Sequence, residues 1–326
     1  MKLLLTIPSL TIPHGGTRVI LEWATRLDKR GHQVTLFVDK GPKVCPWYHI
    51  PKSIPILNHD VAVSDCEVLV ICSPHSIRLQ DRLIKGQRCY IFIQMLEHLF
   101  KTSDVYWKLL CDRFYFSTHP MISISNWNIK ELRAMGRQNE IYYVGNGVNL
   151  EHFPIVTDCH KNSILVEGWE PNNPSKDSDQ IAAHVALRLK KEYGFPIVAY
   201  GQKPLTGSIR PDRYVQLPDL ATMNELYSDA ILLLKASHFD ARSCVPMEAM
   251  TKGTPTVRAI EKGDDDLTHE VNCLRCDYSE LSMYENAKRL LDDSQLYQTI
   301  SANCVEYVTT YTWDYWMDEI EKILRG

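Results

Sequence analysis

Leu3-Leu4-Leu5-Thr6-Ile7, His14-Gly15-Gly16, Thr17–Arg30, Gly31 and Val34–Val38 follow one another at the start of the chain, and their order decides the fold. The first run is short, apolar and strand-like. The glycine pair supplies a turn in which backbone can pass close to a ligand. Thr17–Arg30 then places Val19, Ile20, Trp23, Ala24 and Leu27 on one helical face. Gly31 ends that helix, and Val34–Val38 is the next strand. Strands that read as continuous apolar runs, with a helix between them, belong to a parallel sheet covered on both faces. Met1–Pro8 also resembles a leader peptide, but Pro8 interrupts it, no small-residue cleavage site follows and the glycine pair comes soon after. A buried first strand is the better expectation.

The rhythm repeats at Val68–Cys72, Cys89–Ile93 and Met121–Ile124, and breaks near Gly145-Asn146-Gly147-Val148-Asn149. It restarts at Ile164–Val166, Ile197–Tyr200, Tyr214–Gln216, Ile231–Leu234 and Thr256–Val257, with helices expected over Gln180–Glu192, Thr222–Tyr227 and Val245–Lys252. The expectation is an α/β protein of two doubly wound, Rossmann-like domains facing across a cleft. The first covers 1–152 and the second 153–311, with a final helix, 312–326, returning to the first. Ligands of such sheets bind outside the carboxyl ends of the strands, so the loops after each strand carry the chemistry.

Composition narrows the function classes. The chain has 326 residues, 44% hydrophobic and 23% charged, which excludes a disordered, collagen-like or disulfide-stapled protein. The net charge of −4 argues against a uniformly basic nucleic-acid binder. Residues 1–150 hold 18 Lys and Arg against 12 Asp and Glu, whereas residues 151–326 hold 18 against 28. A basic first half facing an acidic second half suits an anionic partner or membrane surface on the first side, or simply uneven solvated charge. No apolar run approaches the 18 residues of a membrane span. Ten cysteines form no framework, and the single Cys273-x-x-Cys276 pair lacks the second pair of a zinc site. Reduced thiols and a cytoplasmic location are expected.

One segment stands out after the Ile231–Leu234 strand. Asp240 and Glu248 are separated by seven residues, the first expected in a loop and the second one turn into a helix. Pro246 suits the first turn of that helix. Between the acids, the amides of Ser243, Cys244 and Val245 sit at the helix start, where they can face an anion. Carboxylates beside a phosphate must bind something other than the phosphate, and hydroxyls of a sugar and a ribose fit. Taken alone, Asp240 as a loop cap and Glu248 as an ordinary helix-start acid explain the segment as well. Gly15-Gly16 is likewise weak alone, since it is neither Gly-x-Gly-x-x-Gly nor followed by a P-loop lysine.

Together these pieces resemble the GT-B glycosyltransferases of the retaining family 4 type. Gly15-Gly16 with Arg30-Gly31-His32-Gln33-Val34-Thr35 resembles the family's opening. Val144-Gly145-Asn146-Gly147-Val148-Asn149-Leu150-Glu151-His152-Phe153 resembles its interdomain signature. Leu217-Pro218-Asp219 through Tyr227-Ser228-Asp229-Ala230, then Lys235-Ala236-Ser237, resembles the next block. Asp240-x7-Glu248-Ala249-Met250-x-x-Gly253-Thr254-Pro255 resembles its paired-acid motif, and Thr312-Trp313 its ending. The order matches along nearly the whole chain.

The resemblance implies a nucleotide-sugar donor held mainly by the second domain, an acceptor entering from the first, no further cofactor and no metal. Glu248 would accept from the ribose hydroxyls and Asp240 from a donor-sugar hydroxyl. Ser243, Cys244, Val245, Gly15 and Gly16 would line the sugar and pyrophosphate, Lys176 would neutralise the pyrophosphate, and Gly201 and Leu217 would face the base. Three departures are visible. Asp240 stands where Glu is usual, Trp169 where a pyrophosphate-binding Arg is expected, and Gln94 where the family often carries a His. Arg242 and Arg258 are candidates for the missing cation, because a departing diphosphate accumulates charge. Gln94 can hydrogen-bond a hydroxyl but cannot act as a base. No nucleophile is evident, which suits front-face retention with the enzyme positioning its substrates.

Rival readings remain open. Gly263-Asp264-Asp265-Asp266 contains the Asp-x-Asp of metal-dependent enzymes, although it follows the Glu248 helix rather than the middle of a single sheet domain. A degenerate protein that binds nucleotide sugar without turnover would share the motifs, and an NAD-dependent enzyme would share the strand–helix alternation. The acceptor is open between a glycan, a lipid-linked glycan and, as the lesser alternative, DNA of the phage-modified type. The aromatic and basic stretch Tyr106, Trp107, Lys108, Arg113, Phe114, Tyr115 and Phe116 suits peripheral membrane contact or, equally, a buried helix.

Overall fold

The computed structural model describes the chain except residues 12, 59–62, 101–102, 170–179 and 264–266. The chain divides into two units, Met1–Asn146 with Trp313–Gly326, and Gly147–Thr312.

In the first unit β1 (Lys2–Ile7), α1 (Gly15–Lys29), β2 (Gln33–Val38), β3 (Ile56–Leu57), β4 (Val68–Ile71), β5 (Arg88–Ile93), α2 (Val105–Tyr115), β6 (Met121–Ser123), α3 (Asn126–Ala134) and β7 (Ile141–Tyr143) follow in order. The sheet order is β3-β2-β1-β4-β5-β6-β7, and every described pairing is parallel. Strand order therefore reverses beside β1, between its neighbours β2 and β4. The apolar stripe of α1 is fully covered: Val19, Ile20, Trp23, Ala24 and Leu27 are each 1% exposed or less. Each large side chain of that stripe contributes about 1.5–3 kcal/mol on burial. Side-chain caps start the later helices, Asp104 for α2 and Ser125 for α3, each satisfying an otherwise orphan amide.

The second unit repeats the plan with β8 (Ser163–Glu167), α4 (Ile181–Tyr193), β9 (Ile197–Gly201), β10 (Arg213–Gln216), α5 (Leu220–Asp229), β11 (Ala230–Asp240), α6 (Cys244–Met250), β12 (Thr256–Gly263), β13 (Leu274–Cys276), α7 (Glu280–Asp292) and α8 (Ser294–Thr310). Its sheet runs β10-β9-β8-β11-β12-β13, again parallel, with the reversal between β8 and β11. The last helix, α9 (Trp313–Arg325), belongs to the first unit. It buries Trp313, Trp316, Met317, Ile320 and Leu324, and Arg30 at the end of α1 reaches Asp318 at 2.7 Å and Glu321 at 3.3 Å. Both units are doubly wound α/β sheets, as the alternation of apolar runs predicts.

Candidate functional site

The reversal between β8 and β11 is where a doubly wound sheet opens a ligand crevice. Glu167 ends β8 and Asp240 ends β11. Lys235 lies five residues upstream of Asp240 and has no exposed surface. Its ammonium pairs with Glu167 and, at 2.9 Å, with Oδ2 of Asp240. Burial by itself pushes a lysine pKa down, but Asp240 and Glu167 outweigh it and hold Lys235 above the usual lysine value. Register sets the group in one row. Glu167 faces Tyr200 of β9, Lys235 faces Arg258 of β12, and Leu234 faces Val166, one residue before the acid.

The sequence predicts Asp240 in a loop; it is instead the last residue of β11. The apolar run stops at Leu234, but β11 continues for six more residues because β12 pairs with it from Leu233–Thr256 to Asp240–Gly263. The acids at both strand ends satisfy the lysine that interrupts the apolar pattern. Gly263 has φ +140° and packs so tightly on Asp240 that a Cβ there would run into the Asp240 carbonyl oxygen. Only glycine fits.

Glu248 lies on α6 and is 5% exposed. It accepts a 2.9 Å hydrogen bond from the hydroxyl of Tyr227, a fully covered residue of α5. Burial, then the Glu248 charge, push the Tyr227 pKa well above the usual phenol value, so its proton stays in place to orient the carboxylate. Tyr227 also interacts with Tyr200, which links Glu248 to the Glu167 row. Ser243 caps α6 in extended conformation without using its side chain on the helix amides, and Cys244 and Val245 form the first turn. Arg242 is buried and donates to the Tyr307 hydroxyl at 2.7 Å. Arg258 is buried in β12 and Trp169 in the core of this unit. Gly201 ends β9, and its carbonyl accepts from the amide of Leu217, 2.9 Å away. Leu217 is an exposed leucine at φ +47°, a conformation that costs a non-glycine residue about 1–3 kcal/mol and tends to mark ligand clamps. Lys176 and Asp264–Asp266 lie outside the described residues.

In the first unit Gly15 and Gly16 are the first two residues of α1, preceded by His14, which makes no side-chain cap. Gln94 follows β5, and a Cβ on Gly16 would stand 3.1 Å from its Oε1. The two predicted residues are therefore neighbours, and Oε1 of Gln94 is buried without a hydrogen-bond partner among the described residues. Asp39 follows β2 and accepts from Ser76 Oγ at 2.5 Å; burial pushes its carboxyl pKa up. The aromatic–basic stretch splits between two environments. Trp107, Phe114 and Tyr115 are buried, whereas Val105, Tyr106, Leu109 and Phe116 are exposed alongside Lys108 and Arg113.

Sequence reasoning missed Lys235, Glu167, Tyr227 and Tyr200 as members of the site. One signal was available: a lysine inside a covered strand demands a buried acid, and Glu167 ends the neighbouring apolar run. Which acid pairs with which lysine needs the strand order.

No protein-family description and no curated protein matches the chain. Solved structures do. Sucrose-phosphate synthase from Thermosynechococcus elongatus superposes with a TM-score of 0.80 at 13% identity, over 99% of this chain and 98% of that one. HepE from Anabaena, solved in complex with UDP-glucose, gives 0.76 at 13% identity over 100% and 99%. An alpha-glucosyltransferase in complex with UDP and a 13-mer DNA gives 0.67 at 16% identity over the full length of both. At these identities the likeness establishes architecture. The chain has the two-domain α/β fold of the GT-B glycosyltransferases.

Proposed function

We propose that the protein is a glycosyltransferase that moves a sugar from a nucleotide-sugar donor to an acceptor hydroxyl, with retention of configuration and without a metal. The observation that carries this reading is the acid pair of the second unit. Glu248, oriented by Tyr227, and Asp240, held at the end of β11, stand with seven residues between them around the start of α6. Glu248 takes the ribose hydroxyls and Asp240 a hydroxyl of the donor sugar. The amides of Ser243, Cys244 and Val245 receive the diphosphate, with Lys176 as its cation. Gly201 and Leu217 present backbone to the base, and Gly15 and Gly16 complete the sugar and pyrophosphate lining. The acceptor hydroxyl attacks the anomeric carbon on the face from which the diphosphate departs. Its proton goes to the leaving phosphate oxygen, and Gln94 hydrogen-bonds a sugar hydroxyl. The protein supplies position and electrostatics rather than a covalent intermediate.

The acceptor belongs to the first unit in this reading. The exposed Val105, Tyr106, Leu109 and Phe116 beside Lys108 and Arg113 suit shallow contact with an anionic membrane, which favours a lipid-linked glycan over DNA. No described helix is long and apolar enough to cross a membrane.

A thermal-shift panel of nucleotide sugars, followed by transfer assays, tests the proposal. A cognate donor raises Tm by mass action. Glu248→Ala lowers kcat/KM by about a thousandfold, since it removes charged hydrogen bonds of roughly 1.5–3 kcal/mol each. A fully active Glu248→Ala protein refutes the assignment.

A further inference from the structure

Lys235 carries a charge that the proposed reaction does not use directly. A buried ion pair is a weak source of stability, because desolvation offsets most of the attraction and well-packed apolar residues of similar volume serve about as well. The space under the strand ends nevertheless holds an ammonium flanked by two carboxylates. Its position explains the arrangement. β8 and β11 flank the topological reversal, and Lys235 ties their two terminal acids together from beneath.

Asp240 is constrained twice. Gly263 pins its backbone from β12, and Lys235 takes Oδ2 of its carboxylate. The oxygen left for a ligand is Oδ1, on a side chain that retains 15% of its surface. An aspartate has two side-chain torsions, so holding one oxygen and the backbone leaves the other oxygen in one place. Glu167 braces the lysine from the opposite side and keeps it from following the carboxylate outward.

We propose that Lys235 is a positioning residue for donor-sugar recognition: its ammonium, braced by Glu167, fixes Asp240 so that Oδ1 meets a hydroxyl of the transferred sugar. The inference rests on the glycosyl-transfer reading and adds to it a residue that touches no substrate. It places the effect of Lys235 on the sugar and not on the nucleotide.

Binding and turnover separate these contributions. Wild type, Lys235→Met, Asp240→Asn, the double variant and Glu167→Gln are compared by calorimetric titration with UDP and GDP, and by kcat/KM with the donor the panel identifies. In Lys235→Met, nucleoside-diphosphate affinity stays within about threefold, while kcat/KM falls about a hundredfold, the scale of a misplacement near 1 Å. In the Asp240→Asn background the same change costs no more than about threefold further, because the lysine acts through that carboxylate. Glu167→Gln keeps the Lys235–Asp240 pair and lowers kcat/KM by roughly tenfold. A merely structural lysine gives a different pattern: diphosphate affinity falls along with turnover, and the losses add in the double variant. That pattern overturns the inference, as does a folded Lys235→Met protein of wild-type kcat/KM. If neither Lys235→Met nor Glu167→Gln folds, the triad is structural and the inference fails. A wild-type protein that binds no nucleotide or nucleotide sugar overturns the glycosyl-transfer reading itself, whereas a wild-type enzyme with insensitive Lys235 variants overturns only this inference.

Discussion

Gly16 in the first unit and Gly263 in the second each stand beside a polar residue at a strand end, yet a methyl group would meet different neighbours. At Gly16 it would approach the amide end of Gln94, a flexible side chain that can move aside. At Gly263 it would strike the backbone of Asp240 itself. The polar groups differ in the same sense. At the strand ends of the first unit lie Gln94, whose Oε1 has no hydrogen-bond partner among the described residues, and Asp39, held by a serine. The strand ends of the second unit interlock Glu167, Lys235 and Asp240, with Tyr227 and Glu248 beside them. One sheet presents an adjustable edge and the other a fixed one.

Substitutions can break that contrast. The largest effect is expected from Gly263→Ala. The residue holds φ +140°, and its new Cβ has no room, so stability falls by about 2–3 kcal/mol. For a unit of this size that is a Tm drop of roughly 5–10 °C, read by calorimetry. A Tm within about 2 °C of wild type, less than a loss of 1 kcal/mol would produce, would show that the β12 end is as adaptable as the first unit. Tyr227→Phe comes next. It removes the proton donor to Glu248 at a cost of about 1.5 kcal/mol. Donor KM should rise while the acceptor KM stays put, and equal changes in both would detach Tyr227 from the donor side. Gly16→Ala is expected to be the smallest. The gain in helix propensity, about 1 kcal/mol at most, is set against a slight displacement of Gln94, so stability moves by less than about 1 kcal/mol. Any kinetic change should be accompanied by a change in nucleoside-diphosphate affinity, since Gly16 is assigned to the pyrophosphate lining, and titration with UDP and GDP can check this.

The membrane side of the proposal is tested separately. Replacing Tyr106 and Leu109, both exposed on α2, with serine should weaken sedimentation with anionic vesicles several-fold, since each buries apolar surface worth about 25 cal/mol per Å² on contact. Vesicle binding that is unchanged by the pair would assign those residues to another contact.

The amino-acid sequence determined the α/β class and the doubly wound plan, because covered parallel strands must be continuous apolar runs and their helices must carry one apolar face. It drew attention to Gly15, Gly16, Asp240 and Glu248 by type and spacing, each weak when taken alone, and to Gln94 only through the family resemblance. It placed the end of β11 too early, at Leu234, since a lysine in the next position looks like the end of a buried strand. Tertiary structure alone decided that Lys235 stays inside. Its acids come from β8 and from the far end of its own strand, 68 residues away in one case, and only strand order brings them within reach. The same holds for Tyr227 and Glu248, which meet because α5 and α6 pack together in this unit. Local sequence fixes periodicity, which is a property of neighbours along the chain. The partners of a buried charge are a property of neighbours in space.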